Sequence, residues 1–192
     1  MDETLKKQLE ITACKVRLGI LEGVFNAKSG HPGGSLSIAD LLTYLYFAKM
    51  NVYPDKPEEP ERDRLVLSKG HTAPALYATL AEKGFFPKEE LKSLRHIGAM
   101  LQGHPCISIP GVDMSSGSLG QGISVACGMA LSGKLTSDIY KVYTILGDGE
   151  IEEGQVWEAA MFAAHYKLDN LVAVVDNNGL QIDGKIEDVM SP

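Results

Sequence analysis

Two apolar segments rich in β-branched residues, Lys141–Leu146 and Leu171–Asp176, dominate the pattern near the C-terminal end of the sequence. Because each run ends in turn-forming residues, both are typical of buried parallel strands. Small and apolar residues recur between them at helical spacing and mark one helix face: Val156, Ala159, Ala160, Ala163 and Ala164. So short a crossover predicts a parallel, right-handed strand–helix–strand unit whose strands direct their carboxyl ends to one crevice.

The N-terminal part of the sequence is patterned for helices. Apolar residues at spacings of three and four predict one long helix, at about Thr4–Lys28. Ser29-Gly30 ends this helix, and His31–Gly34 is predicted to be a loop. Ser37, with an acid three residues later, is similar to a capping box, so a second helix is predicted at about Ser37–Met50.

The middle of the sequence combines one strand with short helices. Arg64–Leu67 is predicted to be a short strand, and Lys69-Gly70-His71 a loop that follows it. The next helix is predicted within Thr72–Gly84, because proline favours its first turn and glycine its end. Pro87–Leu94 is predicted to be one more short helix.

A long connection, His96–Ser118, contains several glycines and prolines and the pair Gly103-His104. Connections of that length inside a compact domain are usually functional or disordered. Gly117–Gly122 leads into a helix rich in Ala, Gly and Ser that is predicted to reach about Leu131. Residues 183–192 are predicted to complete no further element.

The length predicts a single domain over residues 1–192, and the composition excludes several classes of function. The hydrophobic content of 44% and charged content of 22% are ordinary for a soluble globular protein. A net charge of -7 without a Lys/Arg cluster argues against nucleic-acid binding, and no apolar run approaches membrane-spanning length. Cys14, Cys106 and Cys127 form no C-x-x-C, so neither disulfides nor zinc are predicted. The charged N-terminus differs from a secretion signal, so the expected compartment is the cytoplasm.

The candidate chemistry of the crevice lies in Gly147-Asp148-Gly149 and Asp176-Asn177-Asn178, which follow the two strands. A dinucleotide site would place G-x-G-x-x-G here and an acid such as Asp176 after the next strand. However, the third glycine, Gly154, falls two positions late. Asp148 would also repel a pyrophosphate unless a divalent cation lay between them. Carboxylate and amide oxygens suit Mg²⁺, so a diphosphate held through a metal is the second interpretation, and a simple turn is the third.

The spacing of these motifs is restrictive, since G-D-G is followed by 27 residues (Glu150–Asp176) and then Asn-Asn. This pattern resembles the thiamine diphosphate motif. KSGHPGG, DRLVLSKGHTAPALYA, GHP…PGVDMSSGSLGQG and GDG…DNN follow the order of the transketolase family over essentially the whole chain. The sequence is similar to the N-terminal, diphosphate-binding half of transketolases that are split into two chains. The resemblance implies a thiamine diphosphate-binding α/β fold, a parallel sheet flanked by helices, and Mg²⁺ (or Ca²⁺ or Mn²⁺) bound by Asp148, Asn178 and the carbonyl of Leu180.

Three histidines, His31, His71 and His104, each follow a glycine in a predicted loop. From the residues alone they are either solvated or converge on a site, and no pair has the helical spacing of metal ligands. The resemblance implies that they line the substrate channel, bond sugar hydroxyls and the donor carbonyl, and shuttle protons near neutral pH. It also implies that His71 binds the cofactor.

The resemblance assigns further positions to the cofactor and to a partner. It implies that the cofactor is contacted by Gly117, Ser118, Leu119, Gly149, Glu150 and Ile182, the first and third of these near the aminopyrimidine and Gly149 near the diphosphate. Glu153 is implied to be a carboxylate that acts in catalysis across the subunit interface, and Glu158 is a similar candidate. Solvated charges on the first turns of a helix are the alternative for both glutamates.

The implied function is transfer of a two-carbon ketol unit from a ketose phosphate to an aldose phosphate, with the bond-breaking chemistry supplied by thiamine diphosphate. The glutamate that activates the aminopyrimidine and most phosphate-binding residues belong to the family's other half, so we expect a dimer of heterodimers with a C-terminal, pyrimidine-binding subunit. This half of the family normally continues with more strand and helix after Pro192, and Cys106 stands where the family often has an acid. The alternatives are a split ketol-transfer enzyme for another sugar phosphate, deoxyxylulose-phosphate synthase, which the Gly-His-Pro context disfavours, and a non-catalytic remnant.

Overall fold

The computed structural model of the protein describes residues 2–182 and 184–191. These residues form two compact units, one within residues 1–59 and 71–112 and the other within residues 60–70 and 113–192. The expectation of a single domain over residues 1–192 stays a prediction.

The first unit is helical. Its elements are α1 (Glu3–Ala27), α2 (Pro32–Ser37), α3 (Ala39–Tyr44), a π-helical turn (Leu45–Lys49), α4 (Ala73–Lys83) and a 3-10 helix (Lys88–Ser93). The predictions of one long N-terminal helix, a helix closed by Gly84 and a short helix after Pro87 are confirmed. Although α1 has 25 residues, no helix within residues 2–182 and 184–191 is long and apolar enough to cross a membrane.

The prediction for residues 31–50 is wrong in two details. His31–Gly34 is not a loop, because α2 begins at Pro32 with His31 as its N-cap. Proline has the backbone angle of a helix and no N–H to satisfy at the first position, which explains the early start. Ser37 consequently lies at the end of α2, and α3 begins after Ile38 with no side-chain cap.

The second unit contains a parallel sheet in the order β1-β2-β3, formed by Arg64–Leu67, Val142–Gly147 and Leu171–Asp176. Helix α5 (Gln121–Thr136) packs against the sheet, and α6 (Gly154–His165) packs against α5. The shared core consists of Val66, Ile123, Ala126, Cys127, Ala130, Tyr140, Val142, Leu146, Val156, Ala159 and Leu168. β3 is an outer strand, and its outer edge pairs with no other strand in the part of the chain that the structure describes.

The predicted strand–helix–strand unit is confirmed. β2 and β3 are parallel, and Gly147 at the end of β2 lies opposite Asp176 at the end of β3. The predicted end of α5 at about Leu131 is wrong, since the helix continues to Thr136. Gly133 does not stop the helix. It makes room for a neighbour, because a Cβ atom there would lie 2.8 Å from the Tyr140 ring.

The prediction of no further element after residue 182 is also wrong. A short antiparallel pair joins β4 (Leu180–Gln181) to β5 (Gly184–Lys185), and α7 (Ile186–Val189) follows. Asp183 and Pro192, which belong to that predicted segment, lie outside the described residues. The pair is too short to show a strand period, which explains why the sequence pattern did not indicate it.

Candidate functional site

Asp148 joins the loops that follow β2 and β3. Its carboxylate is buried, with 3% of the residue exposed. Oδ1 accepts a hydrogen bond from the Gly149 N–H at 3.0 Å, and Oδ2 accepts one from the Gly179 N–H at 2.8 Å. Its own N–H donates to the carbonyl of Asp176 at 3.2 Å. The sequence prediction that residues at these two strand ends meet is therefore confirmed.

Asn178 and Leu180 lie in the loop after β3. Asn178 Oδ1 accepts a hydrogen bond from the Leu180 N–H at 2.9 Å, and its Nδ2 donates to Asp176 Oδ2 at 3.3 Å. The carboxylate of Asp148, the amide oxygen of Asn178 and the carbonyl of Leu180 are all hard oxygen donors, which is the donor chemistry that Mg²⁺ prefers. The residues present thus fit a metal-bound diphosphate. Their assignment as metal ligands stays a prediction.

Lys69 forms a buried ion pair that the sequence analysis missed. Its Nζ lies 2.5 Å from Asp176 Oδ2. Lys69 follows β1 and Asp176 ends β3, so the pair spans β2, which lies between these strands. The path does not depend on a glycine at position 147, because a Cβ atom there would lie at an ordinary contact distance of 3.6 Å from Lys69 Cδ. The lysine balances the negative charge of Asp176. Asp148 is then the carboxylate that contacts the loop after β3. Asp176 is therefore engaged by lysine, which removes the acid that the dinucleotide interpretation needed.

Gly117, Ser118 and Leu119 precede α5 and were predicted to contact the cofactor. Ser118 and Leu119 are exposed. The carbonyl of Leu119 accepts a hydrogen bond from Gln155 Nε2 at 3.2 Å, which ties this segment to the start of α6. Glu153 is the exposed N-cap residue of α6, so its carboxylate is available to a partner. The roles of these residues stay predictions.

The two other predicted cofactor residues after Gly149 differ in setting. Glu150 is buried, with 2% of the residue exposed, and its carboxylate accepts hydrogen bonds from the protein itself. Ile182 is 92% exposed and has a φ of 53°, a left-handed conformation that a β-branched residue rarely adopts. Its exposed side chain is available for packing on a ligand, and both predicted cofactor contacts stay predictions.

The three histidines lie in the first unit, and the structure brings them near one another. The rings of His31 and His71 are 5.0 Å apart between centroids, in an edge-on arrangement. Partial burial lowers the pKa of His31 below its ordinary 6.5, and positive charge at Arg95 and His104 lowers it further. The carbonyl of His104 accepts a hydrogen bond from the Tyr77 hydroxyl at 2.7 Å, which fixes its backbone.

These histidines do not resemble a metal site. Within residues 2–182 and 184–191, no group of three or more His, Cys, Asp or Glu residues is arranged to hold a metal ion. A His31 imidazole with a lowered pKa is mostly neutral at pH 7 and can accept a proton. The arrangement therefore suits hydrogen bonding and proton transfer better than metal coordination.

Comparison with known proteins adds independent observations. Residues 9–192 match the family model described as transketolase, thiamine diphosphate binding domain. The chain is 51% identical over 183 residues to one subunit of the apulose-4-phosphate transketolase of Phocaeicola vulgatus, covering 95% of this chain and 65% of that subunit. It is 50% identical over 182 residues to the 6-deoxy-6-sulfo-D-fructose transketolase subunit SqwG of a Clostridium species, covering 94% and 66%.

Solved structures agree with the sequence comparison. The transketolase of Campylobacter jejuni superposes with a TM-score of 0.92 at 34% identity, covering 100% of this chain and 31% of that one. The predicted fold, a thiamine diphosphate-binding α/β fold with a parallel sheet flanked by helices, is confirmed. The chain spans just under two thirds of the length of the two subunits named above.

Proposed function

This chain belongs to the transketolase family, which it matches through the thiamine diphosphate-binding domain, and on that premise we propose that it is the diphosphate-binding half of a split transketolase. The reaction is transfer of a two-carbon ketol unit from a ketose phosphate to an aldose phosphate. One observation carries the proposal. Asp148 follows β2 and accepts a hydrogen bond from the N–H of Gly179, the neighbour of Asn178 in the loop after β3, so both predicted metal ligands lie at the carboxyl ends of two adjacent parallel strands.

The second unit binds and orients the cofactor in this proposal. Asp148, Asn178 and the carbonyl of Leu180 hold Mg²⁺, or Ca²⁺ or Mn²⁺ in its place, and Gly149 contacts the diphosphate. When bound, thiamine diphosphate supplies the carbanion chemistry that breaks a carbon–carbon bond beside a ketose carbonyl. Ile182 packs on the cofactor, and the segment Gly117–Leu119 contacts its aminopyrimidine end. The exposure of Ile182 and of two residues in that segment supports these contacts.

The histidines of the first unit act on the sugar. His31 and His104 orient hydroxyl groups of the ketose, and His71 contacts both cofactor and substrate. The lowered pKa of His31 supports a role as proton acceptor, because the neutral imidazole predominates near pH 7. Proton transfer to a positioned histidine of this kind typically contributes about 10²–10⁴-fold to a rate.

Activity requires a complementary, pyrimidine-binding chain, and the two chains assemble as a dimer of heterodimers. Two similar proteins are themselves named as transketolase subunits, which supports this arrangement. Glu153 faces the partner, and the exposed face of α6, with Trp157 57% and Met161 67% exposed, supports a protein contact there. The three cysteines are free thiols, which supports the reducing cytoplasm as the compartment. The proposed reaction would place the chain in the pentose phosphate pathway or a related one.

A second candidate is ketol transfer from a different ketose. The two named subunits, at 51% and 50% identity, carry apulose-4-phosphate and 6-deoxy-6-sulfo-D-fructose in their names, whereas the human transketolase is 47% identical. The differences in identity are small, so the donor has to be determined by assay. If no donor reacts, the remaining interpretation is a non-catalytic role.

The test is an assay of the chain together with a complementary pyrimidine-binding transketolase subunit. Xylulose 5-phosphate, apulose 4-phosphate and 6-deoxy-6-sulfo-D-fructose are offered as donors, with ribose 5-phosphate or glyceraldehyde 3-phosphate as acceptor. Turnover of any donor that needs both chains, Mg²⁺ and thiamine diphosphate supports the proposal, and the preferred donor decides between the two candidates. No turnover by a folded pair, together with no cofactor binding in calorimetry, overturns it.

A further inference from the structure

We propose that Glu150 is a positioning residue that fixes three cofactor-facing segments in one arrangement before thiamine diphosphate and Mg²⁺ bind, an inference that rests on the proposed function. The three segments are defined as residues 68–70, residues 117–120 and residues 147–149. All three belong to the second unit. Glu150 acts through its carboxylate, which touches the protein and not the reacting atoms.

Both carboxylate oxygens of Glu150 are occupied by donors from these segments. Oε1 accepts a hydrogen bond from the Ser68 hydroxyl at 2.6 Å and another from the Gly120 N–H at 2.8 Å. Oε2 accepts one from the Gly147 N–H at 3.0 Å. With 2% of Glu150 exposed, little water competes for these bonds. One side chain therefore connects the ends of β1 and β2 to the start of α5.

The chemistry of the three partners explains why a carboxylate stands here. Two partners are backbone N–H groups, and the third is a hydroxyl that donates. An ionised glutamate offers two oxygens and only acceptor sites, whereas a glutamine offers one oxygen and an NH₂ donor. The three donors thus use acceptor sites on both oxygens of the Glu150 carboxylate. In a glutamine variant at least one buried N–H would face another donor.

Two of the segments that Glu150 connects are packed closely against each other. A Cβ atom at Gly70 would lie 2.8 Å from the Gly117 backbone nitrogen, and one at Gly122 would lie 2.6 Å from Ser68 Cα. The Ser116 hydroxyl also donates to the carbonyl of Leu67 at 2.6 Å. Residues 68–70 and 117–120 thus form one closely packed pair, and Glu150 attaches the Gly147–Gly149 turn to that pair.

This arrangement has a consequence for the cofactor. Asp148, the proposed metal ligand, lies in residues 147–149, and the proposed aminopyrimidine contacts lie in residues 117–120. Glu150 therefore sets the distance between the parts of the chain that hold the two ends of one ligand. Loss of its acceptor oxygens should separate these parts and weaken cofactor binding, because these oxygens are occupied by donors of the protein.

The test compares three variants of the intact chain: Glu150→Gln, Ser68→Ala and the control Glu89→Gln. Glu89 is exposed in the first unit, so its replacement makes the same change in charge without touching the segments. We expect Glu150→Gln to weaken thiamine diphosphate binding in the presence of Mg²⁺ by about 10–100-fold in calorimetry, as is typical of groups that orient ligands. Ser68→Ala should have a smaller effect in the same direction, because Gly120 keeps its acceptor, and Glu89→Gln should match the wild type.

Hydrogen exchange of the cofactor-free chain supplies a readout that a general loss of stability would not reproduce. We expect faster exchange in Glu150→Gln at the amides of residues 68–70, 117–120 and 147–149, with β3 and the middle of α5 protected as in the wild type. Uniformly faster exchange would show a purely structural role and overturn the inference. Wild-type binding and exchange in Glu150→Gln would also overturn it.

Two further outcomes keep the inference separate from the proposed function. If Glu150→Gln does not fold, Ser68→Ala decides: faster exchange at residues 68–70 with weaker binding supports the inference, and wild-type behaviour overturns it. If the wild-type chain neither binds thiamine diphosphate nor turns over any donor when paired with the complementary subunit, the proposed function fails and the cofactor part of the inference fails with it. The exchange data then still establish whether Glu150 holds the three segments together.

Discussion

Lys69 reaches across the end of β2 to form an ion pair with Asp176. The side chain of Lys69 is 2% exposed and that of Asp176 is 12% exposed, so water screens the pair little. The Asp176 carboxylate also accepts the hydrogen bond from Asn178 Nδ2, so the ion pair helps to hold a proposed metal ligand. A structural pair in the core of the second unit is thus connected directly to the candidate site.

Replacement of Lys69 by methionine should destabilise the protein strongly. Removing one partner of a buried ion pair leaves a charged group without its counterion and typically costs about 3–5 kcal/mol of the free energy of unfolding. Urea denaturation of the intact chain measures this. The matched control is Lys134→Met, which removes the exposed pair with Asp169 and should change the stability little. Equal effects of the two variants would contradict the structural role of Lys69.

Asp148→Ala should abolish metal-dependent cofactor binding. Asp148 is the carboxylate among the three proposed ligands, so the loss of affinity should exceed the roughly 100-fold upper range for residues that only orient ligands. Calorimetric titration with thiamine diphosphate, with and without Mg²⁺, gives the result. Asp55→Ala, an exposed acid in the first unit, is the control. Binding by wild type that is independent of Mg²⁺ would exclude the proposed site.

His31→Ala and His104→Ala should impair turnover in the assembled enzyme and leave cofactor affinity nearly unchanged. We expect a lower kcat or a higher KM for the ketose, because both residues are proposed to act on the sugar. Calorimetry on the single chain and kinetics with the complementary subunit separate the two effects. His96→Ala, in an exposed turn, serves as the control. Wild-type kinetics in both variants would show that these histidines are solvated residues that do not act on the sugar.

The pKa of His31 should rise when Arg95 is replaced by glutamine. Burial is the largest cause of the lowered pKa and persists in the variant, while one of the two positive neighbours is removed. The rise should therefore be partial, leaving the pKa below 6.5. As the pH falls, the variant ring gains its proton earlier than the wild-type ring. NMR titration of the His31 ring measures both values, and a variant pKa equal to or below that of the wild type would refute the electrostatic contribution.

The purified chain alone should not convert xylulose 5-phosphate and ribose 5-phosphate, even when saturated with thiamine diphosphate and Mg²⁺. This chain is proposed to hold the metal and diphosphate end of the cofactor, while the group that activates the aminopyrimidine is expected from the partner. A cofactor exposed to water would also lose much of the electrostatic stabilisation that an enclosed site provides. A robust metal-dependent rate from the single chain would contradict the half-enzyme proposal.

The sequence predicted those parts of the structure that local patterns determine. Two apolar runs ending in G-D-G and D-N-N were enough to place Gly147 opposite Asp176, because parallel strands end at the same edge of a sheet. The family resemblance identified the fold correctly. Sequence patterns failed where one residue has competing roles, as at Pro32, which starts a helix inside a segment whose glycines suggested a loop.

The contacts that the sequence did not predict are long-range side-chain contacts. The sequence around Glu150 indicates a turn, but not the three donors from which its buried carboxylate accepts hydrogen bonds. Lys69 precedes a Gly-His pair and gave no sign of a partner 107 positions later. Hydrophobic periodicity carries no information about where a single polar side chain points. Such partners become visible only when the strand order is known.

The outer edge of β3 affects how the purified chain will behave. Its backbone N–H and C=O groups on that side have no strand partner in the described part of the chain, and Val172 and Val175 are 38% and 43% exposed. An unpaired edge with apolar side chains is a template for strand addition between molecules. Aggregation should therefore increase with protein concentration and temperature, and limit the concentration that calorimetry and NMR can use. Co-expression with a partner chain, or a lysine in place of Val172, is the practical remedy.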